Sequence, residues 1–258
     1  MTKDILTDLR GQTLWVTFNR PEARNAMTFG MYEELAKICS TVPQDGSVKA
    51  MVVAGAGGKA FAAGTDMTQF RAFETPEDAW VYEDEISRVL TAVDMCPVPT
   101  IAAIHGACTG GGASIAAACD LRICSASLKF GFPIARTLGN CLNAGNLARL
   151  TELMGAGRVR DMIFTARLVG AEEAMNIGLV SEVLQEEDSL LASAADLADR
   201  LAGMAPLTLR ATKEAMRRNR EALSVDDKDL IALCYMSQDF KHGLEAFLAK
   251  EKPDWTGT

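Results

Sequence analysis

The chain has 258 residues, 48% of them hydrophobic, with a formal net charge of −8. That length fits one large domain or two small ones, and the apolar content supports a sizeable buried core. An acidic surface repels a phosphate backbone, so nucleic acid is excluded as a main partner, while local basic contacts to one small anion are not. The seven Cys are odd in number and form no CxxC pair, which points to a reduced, cytoplasmic chain with buried thiols rather than a disulfide framework. Two His residues, His105 and His242, leave little material for a zinc site, and no metal is expected.

The opening residues MTKDILTDLR carry charges where a signal peptide needs an apolar core. Residues 14–18, LWVTF, read as a strand that ends in an Asn-Arg-Pro-Glu turn. Thr28 is placed to cap a helix over 29–40. Residues 48–54 read as a strand leading into the Gly-rich stretch 55–58. Residues 77–94 have helical spacing, and 100–104, TIAAI, read as a buried strand. Gly110-Gly111-Gly112 then opens a helix of small residues. The apolar stretch 98–119 comes nearest to membrane-spanning length, but His105 and the Gly run mark it as a buried strand followed by a buried helix, so no membrane partner is expected. Short strands are expected at 121–124 and 128–130. From about 140 onward helices dominate, with segments at 188–203, 206–220 and 226–250 and Pro206 suited to a helix start. Strand–helix alternation followed by helices indicates an α/β core with a helical C-terminal part.

Three Gly-rich or Ser-bearing patterns invite a chemical reading. GAGGKA at 55–60 partly imitates a dinucleotide fingerprint, but Phe61-Ala-Ala-Gly-Thr-Asp follows where a helix should start, and a surface loop is the better reading. Gly112-Ala113-Ser114-Ile115-Ala116 resembles a nucleophile elbow, with His242 later in the chain. Ser114, however, lies inside the helix rather than at the turn leaving a strand. The third pattern combines two loops, Phe61–Asp66 and His105–Gly112, each following an apolar strand and each containing Gly where backbone can approach a ligand. Together they either aim one N–H each at a single oxygen, an oxyanion hole at a helix N-terminus, or form two tight turns with packing glycines.

These loops, with NRPEARNAMT, KAFAAGTDM, AAIHGACTGGG, CDLRICSASLKFGFP, AEEAMNIGLVSEVL and the terminal FLAKEKPDW, resemble the crotonase superfamily, the enoyl-CoA hydratase/isomerase family, over nearly the whole chain. The resemblance implies a crotonase-like spiral of ββα units with two roughly perpendicular sheets. It implies an acyl-CoA-binding core over 1–200 and a helical oligomerisation region over 201–258, giving homotrimers or hexamers. The substrate would be an acyl-CoA whose thioester enolate is stabilised, with no cofactor beyond the coenzyme A moiety. Carried over by position, the oxyanion donors are the N–H groups of Thr65 and Gly111. Ala23, Ala63 and Met67 fall where the adenine pocket is lined, Arg24 is near a CoA phosphate, and Phe247 and Lys250 match terminal residues that reach CoA, often across a subunit boundary.

One departure bears on mechanism. Family hydratases carry a Glu three residues after the oxyanion Gly and another just after the Pro of the Phe-Gly-x-Pro run; here these positions are Ser114 and Ile134. Ile cannot transfer a proton, and Ser is a poor base without a partner, so hydration by a two-glutamate route is not expected. Asn140, Cys141 and Asn143 compete for a polar role in the turn after Pro133, and Arg136 suits either an acidic acyl group or the surface. Asp66 suits a cap on the following turn. Glu83, Asp84 and Glu85 read either as the source of a replacement carboxylate or as a solvated helix face. Hydration with substitute groups, isomerisation, decarboxylation, C–C cleavage, thioester hydrolysis and catalytically weak acyl-CoA binding all stay open.

Overall fold

A computed structural model describes residues 3–258; the first two residues of the charged opening stretch lie outside the described residues. The chain begins with a hairpin, β1 (Ile5–Arg10) antiparallel to β2 (Thr13–Phe18), followed by α1 (Phe29–Ser40). It then runs β3 (Ala50–Gly55), β4 (Ala60–Ala62) and α2 (Pro76–Asp94); β5 (Thr100–Ile104), β6 (Ala107–Thr109) and α3 (Gly111–Ala118); and β7 (Leu121–Ser125), β8 (Lys129–Gly131) and α4 (Ile134–Thr137). After α5 (Ala144–Met154) and α6 (Ala156–Phe164) come β9 (Val169–Gly170), α7 (Ala171–Asn176) and β10 (Val183–Leu184). Four helices close the chain: α8 (Glu187–Ala202), α9 (Pro206–Glu221), α10 (Lys228–Tyr235) and α11 (Gln238–Ala249).

The strands form two sheets, ordered β1-β2-β3-β5-β7-β10 and β4-β6-β8-β9. Each of the pairs β3–β4, β5–β6 and β7–β8 gives one strand to each sheet and is followed by a helix, which is the repeated ββα turn of the spiral. From β2 to β10 the larger sheet is parallel. Its central strands β3 and β5 are buried throughout, as a parallel sheet covered on both faces requires. Side chains of period two sort the faces: Met51, Val53, Ala102 and Ile104 join the main core. Ala50, Val52, Ala54 and Ala103 face Leu190, Ala194 and Ala198 of α8.

β1 is the element that the residues do not announce. Only Ile5 in it is buried, so it carries no apolar alternation and is held by backbone pairing to β2. The expected helix over 226–250 is two helices. It breaks at Met236, and the Ser237 side chain accepts from the Phe240 N–H at 2.9 Å to cap α11. The loop after β3 is a fastened turn: Asn25 Nδ2 donates to the carbonyls of Ala56 at 3.0 Å and Ala60 at 2.8 Å. Among the described residues no helix is long and apolar enough to cross a membrane, and no group of three or more His, Cys, Asp or Glu is placed to hold a metal ion.

Candidate active site

Two loops meet at the C-terminal ends of β4 and β6. In the first, Met27 bridges to Thr65: the Met27 N–H donates to the Gly64 carbonyl at 2.8 Å and the Asp66 N–H donates to the Met27 carbonyl at 2.8 Å. This pairing uses the groups on either side of Thr65. Among the described residues, no acceptor takes the Thr65 N–H. In the second loop, Gly110 has φ 52 and ψ −123, a conformation open to Gly and strained for residues with a Cβ. Gly111 follows as the first residue of α3, where an N–H has no intrahelical acceptor and the helix dipole favours negative charge.

The close approach of the loops explains their glycines. A Cβ on Gly112 would lie 2.3 Å from the Ala62 carbonyl oxygen, whereas Gly110 has room for one and is required by its positive φ. A Cβ on Gly111 would lie 1.7 Å from the Tyr32 hydroxyl and 3.1 Å from Thr65 Oγ1. Thr65 Oγ1 is hydrogen-bonded to the hydroxyls of Tyr32 at 2.8 Å and Tyr82 at 3.2 Å. Burial raises the pKa of both phenols, so both remain neutral and hold the loop without adding charge.

Thr65, Gly111, Ser114, Ile134 and Asn140 line one cavity of about 120 Å³. A family profile described as enoyl-CoA hydratase/isomerase matches residues 10–258. The chain belongs to the enoyl-CoA hydratase/isomerase family. It is 31% identical over 254 residues to the short-chain-enoyl-CoA hydratase of Clostridium acetobutylicum, covering 96% of each chain. It is 33% identical to the mitochondrial Delta(3,5)-Delta(2,4)-dienoyl-CoA isomerase of Rattus norvegicus, covering 95% of this chain and 79% of that one. Among solved structures, it is similar to an enoyl-CoA hydratase/carnithine racemase from Magnetospirillum magneticum, with a TM-score of 0.80, 33% identity and coverage of 100% and 97%.

Ser114 is buried, and its hydroxyl donates to the Gly110 carbonyl at 3.3 Å. It makes no contact with His242, which is exposed on α11, so no nucleophile–base pair forms. Ile134 opens α4 and presents an apolar wall. Asn140 Nδ2 donates to the Tyr235 hydroxyl at 3.3 Å. Asn143 does not line this cavity; its Oδ1 caps α5 by accepting from the Asn146 N–H at 2.9 Å.

Ala63 and Met67 line the cavity. Ala23 and Arg24 lie beside it, since the Ala63 N–H donates to the Arg24 carbonyl at 3.0 Å. Phe247 comes from the chain's own α11 and also lines the cavity, because α11 folds back against the turn Met67–Ala72 and α4. Lys250 is exposed at the left-handed end of α11. Asp66 caps the turn at Met67 by accepting from the Thr68 N–H at 3.3 Å. Arg136 is exposed.

Of the three acidic residues in α2, Asp84 is exposed, Glu85 pairs with Arg88, and Glu83 is buried in the cavity wall. Glu83 Oε1 accepts from the Tyr235 hydroxyl at 2.6 Å and Oε2 accepts from Asn143 Nδ2 at 2.7 Å. Burial pushes its carboxyl up to about 7, against the lowering effect of these two hydrogen bonds. The sequence carried a signal for this placement. Ala79, Glu83, Ile86, Leu90 and Val93 follow helical spacing and form the buried stripe of α2. The partner that makes burial tolerable, Tyr235, is 152 residues away.

Proposed function

We propose that this chain is an acyl-coenzyme A enzyme that polarises a thioester carbonyl with the backbone N–H groups of Thr65 and Gly111 and stabilises the enolate formed next to it. The observation that carries this reading is the convergence on one cavity of two loops, each with an N–H that no acceptor among the described residues takes. Preorganised amides of this kind act on the charge that develops in the transition state and require no reorganisation. The dipole of α3 adds to the same oxygen. At its far end α3 closes on the buried Arg122 guanidinium, which donates to the Cys119 and Ala116 carbonyls, so the C-terminal end of the helix meets a complementary positive charge.

The coenzyme A moiety lies across Ala63 and Met67 toward the turn at Ala23 and Arg24, where the Arg24 guanidinium meets a phosphate; Lys250 is a second phosphate contact. The reaction draws on no cofactor beyond the coenzyme A moiety of the substrate. Ser114 and Ile134 supply no proton-transferring carboxyl, so hydration by a pair of glutamates at those positions is not the route. The active form is a cytoplasmic homotrimer or hexamer. In support, α9 buries none of its residues, and Leu207, Leu223 and Leu233 stand 77%, 80% and 71% exposed in the single chain. Apolar surface of that extent is covered in a symmetric assembly.

The test is binding followed by turnover. Free CoA and short acyl-CoA thioesters raise the melting temperature, as ligands selective for the folded state do. A panel of enoyl-, acyl- and carboxyacyl-CoA thioesters read by mass spectrometry then identifies the reaction. Absence of any stabilisation by CoA thioesters at millimolar concentration overturns the proposal.

A further inference from the structure

The acyl cavity and its neighbour share one wall. A second cavity of about 360 Å³ is lined by Ser87, Asn143, Arg149 and Asp227 among others. Among the described residues, Glu83 is the member common to both linings. Glu83 therefore borders both the acyl cavity and a polar space. Each oxygen accepts one protein hydrogen bond, from Tyr235 or from Asn143, and keeps a second lone pair free. The preceding residue, Tyr82, touches Thr65 of the oxyanion loop, so the same turn of α2 holds both the loop and the carboxyl.

Resting on the acyl-CoA reading above, we infer that Glu83 is the proton-transfer group of this site, taking over the task that Ser114 and Ile134 cannot perform. The carboxylate removes a hydrogen from the carbon next to the thioester carbonyl. The C–H bond breaks, its electron pair forms the enolate C=C bond, the carbonyl electrons move to the oxygen held by Thr65 and Gly111, and the proton resides on Glu83. Return of that proton to the same carbon, or to another carbon of the conjugated system, completes an exchange or a double-bond migration without any other reactant. Exchange of the Glu83 proton with water occurs through the second cavity.

Tyr235 and Asn143 are positioning residues, because they act through Glu83. The charges that bear on the carboxyl are Asp84 on its own helix and Asp227 ahead of α10, both of which disfavour ionisation. Tyr32 on α1, Tyr82, Tyr235 and the Cys141 thiol in the turn before α5 also face it and are neutral, their pKa values raised. In the second cavity, Arg149 and Arg220 are both paired with Asp94. Removal of the Tyr235 hydroxyl takes away a donor to the ionised form and moves the pH dependence upward.

The test is incorporation of deuterium next to the carbonyl of butyryl-CoA in heavy water, a thioester that cannot be hydrated. The wild-type protein is expected to exchange, with a rate that rises through about pH 7. Glu83→Gln is expected to bind CoA as before and to exchange about 10²–10⁴-fold more slowly. Tyr235→Phe is expected to exchange with its inflection at higher pH. Wild-type exchange that is unchanged in Glu83→Gln overturns the inference and leaves the acyl-CoA reading standing. Lack of CoA-thioester binding by the wild type overturns the acyl-CoA reading itself. Should Glu83→Gln fail to fold, the Tyr235→Phe profile decides: an inflection that does not move overturns the role of Glu83.

Discussion

Replacing Glu83 by Gln changes stability in a direction that depends on pH. The native carboxyl titrates at about 7, against an ordinary value of 4.5, because burial disfavours its charge. A raised carboxyl pKa favours the protonated native state, so this contribution is full below pH 4.5 and is lost as pH rises through 7. The gap corresponds to about 3 kcal/mol, at about 1.4 kcal/mol per pH unit. Gln carries no charge and escapes that loss. Its oxygen still accepts from Tyr235, but its amide group faces the Asn143 donor, and the lost hydrogen bond costs about 1 kcal/mol. The variant is therefore expected to be less stable than wild type by about 1 kcal/mol below about pH 4 and more stable by about 2 kcal/mol at pH 8. Urea unfolding of both proteins at one fixed chain concentration measures this, because titration of all other groups cancels in the difference. A stability difference that stays flat between pH 5 and pH 8 refutes the reasoning.

Three further outcomes follow from the geometry. Gly111→Pro deletes one oxyanion donor and drives a side chain into the Tyr32 hydroxyl, so turnover of whichever acyl-CoA the protein accepts falls by at least about 10²–10³-fold in a steady-state assay. Ser114→Ala removes a hydroxyl engaged with the Gly110 carbonyl at 3.3 Å; the same assay should show a loss of less than about tenfold, since no proton transfer goes with it. Light scattering should give a mass of three or six times 27.7 kDa, and a single-chain mass over a wide concentration range contradicts the role given to the exposed C-terminal leucines.

The fold was legible where local chemistry decides it. Thr28 caps α1 by accepting from the Met31 N–H, as its place before an apolar run implies. The apolar runs at 50–54 and 101–104 are the two-faced central strands. β1 was illegible because its pairing is made by backbone atoms and only Ile5 is buried. The break at Met236 was masked by helical spacing on both sides of a Ser cap. In the site, glycines gave away the two loops because close approach at Gly111 and Gly112 and positive φ at Gly64 and Gly110 demand them. Glu83 stayed ambiguous for a different reason. A carboxylate on the buried stripe of a helix makes sense only once its donors are known, and Tyr235 and Asn143 reach it from elements far along the chain.

The central claim is that two backbone amides polarise a thioester carbonyl, and vibrational spectroscopy reports on that carbonyl directly. Butyryl-CoA labelled with ¹³C at the carbonyl, bound at saturation and compared with unlabelled ligand, isolates its stretching band from the protein background. With the Thr65 and Gly111 N–H groups directed at the oxygen, the band should move to lower frequency than in water, and Gly111→Pro should move it back. A band at the solution frequency in the saturated wild-type complex contradicts the account.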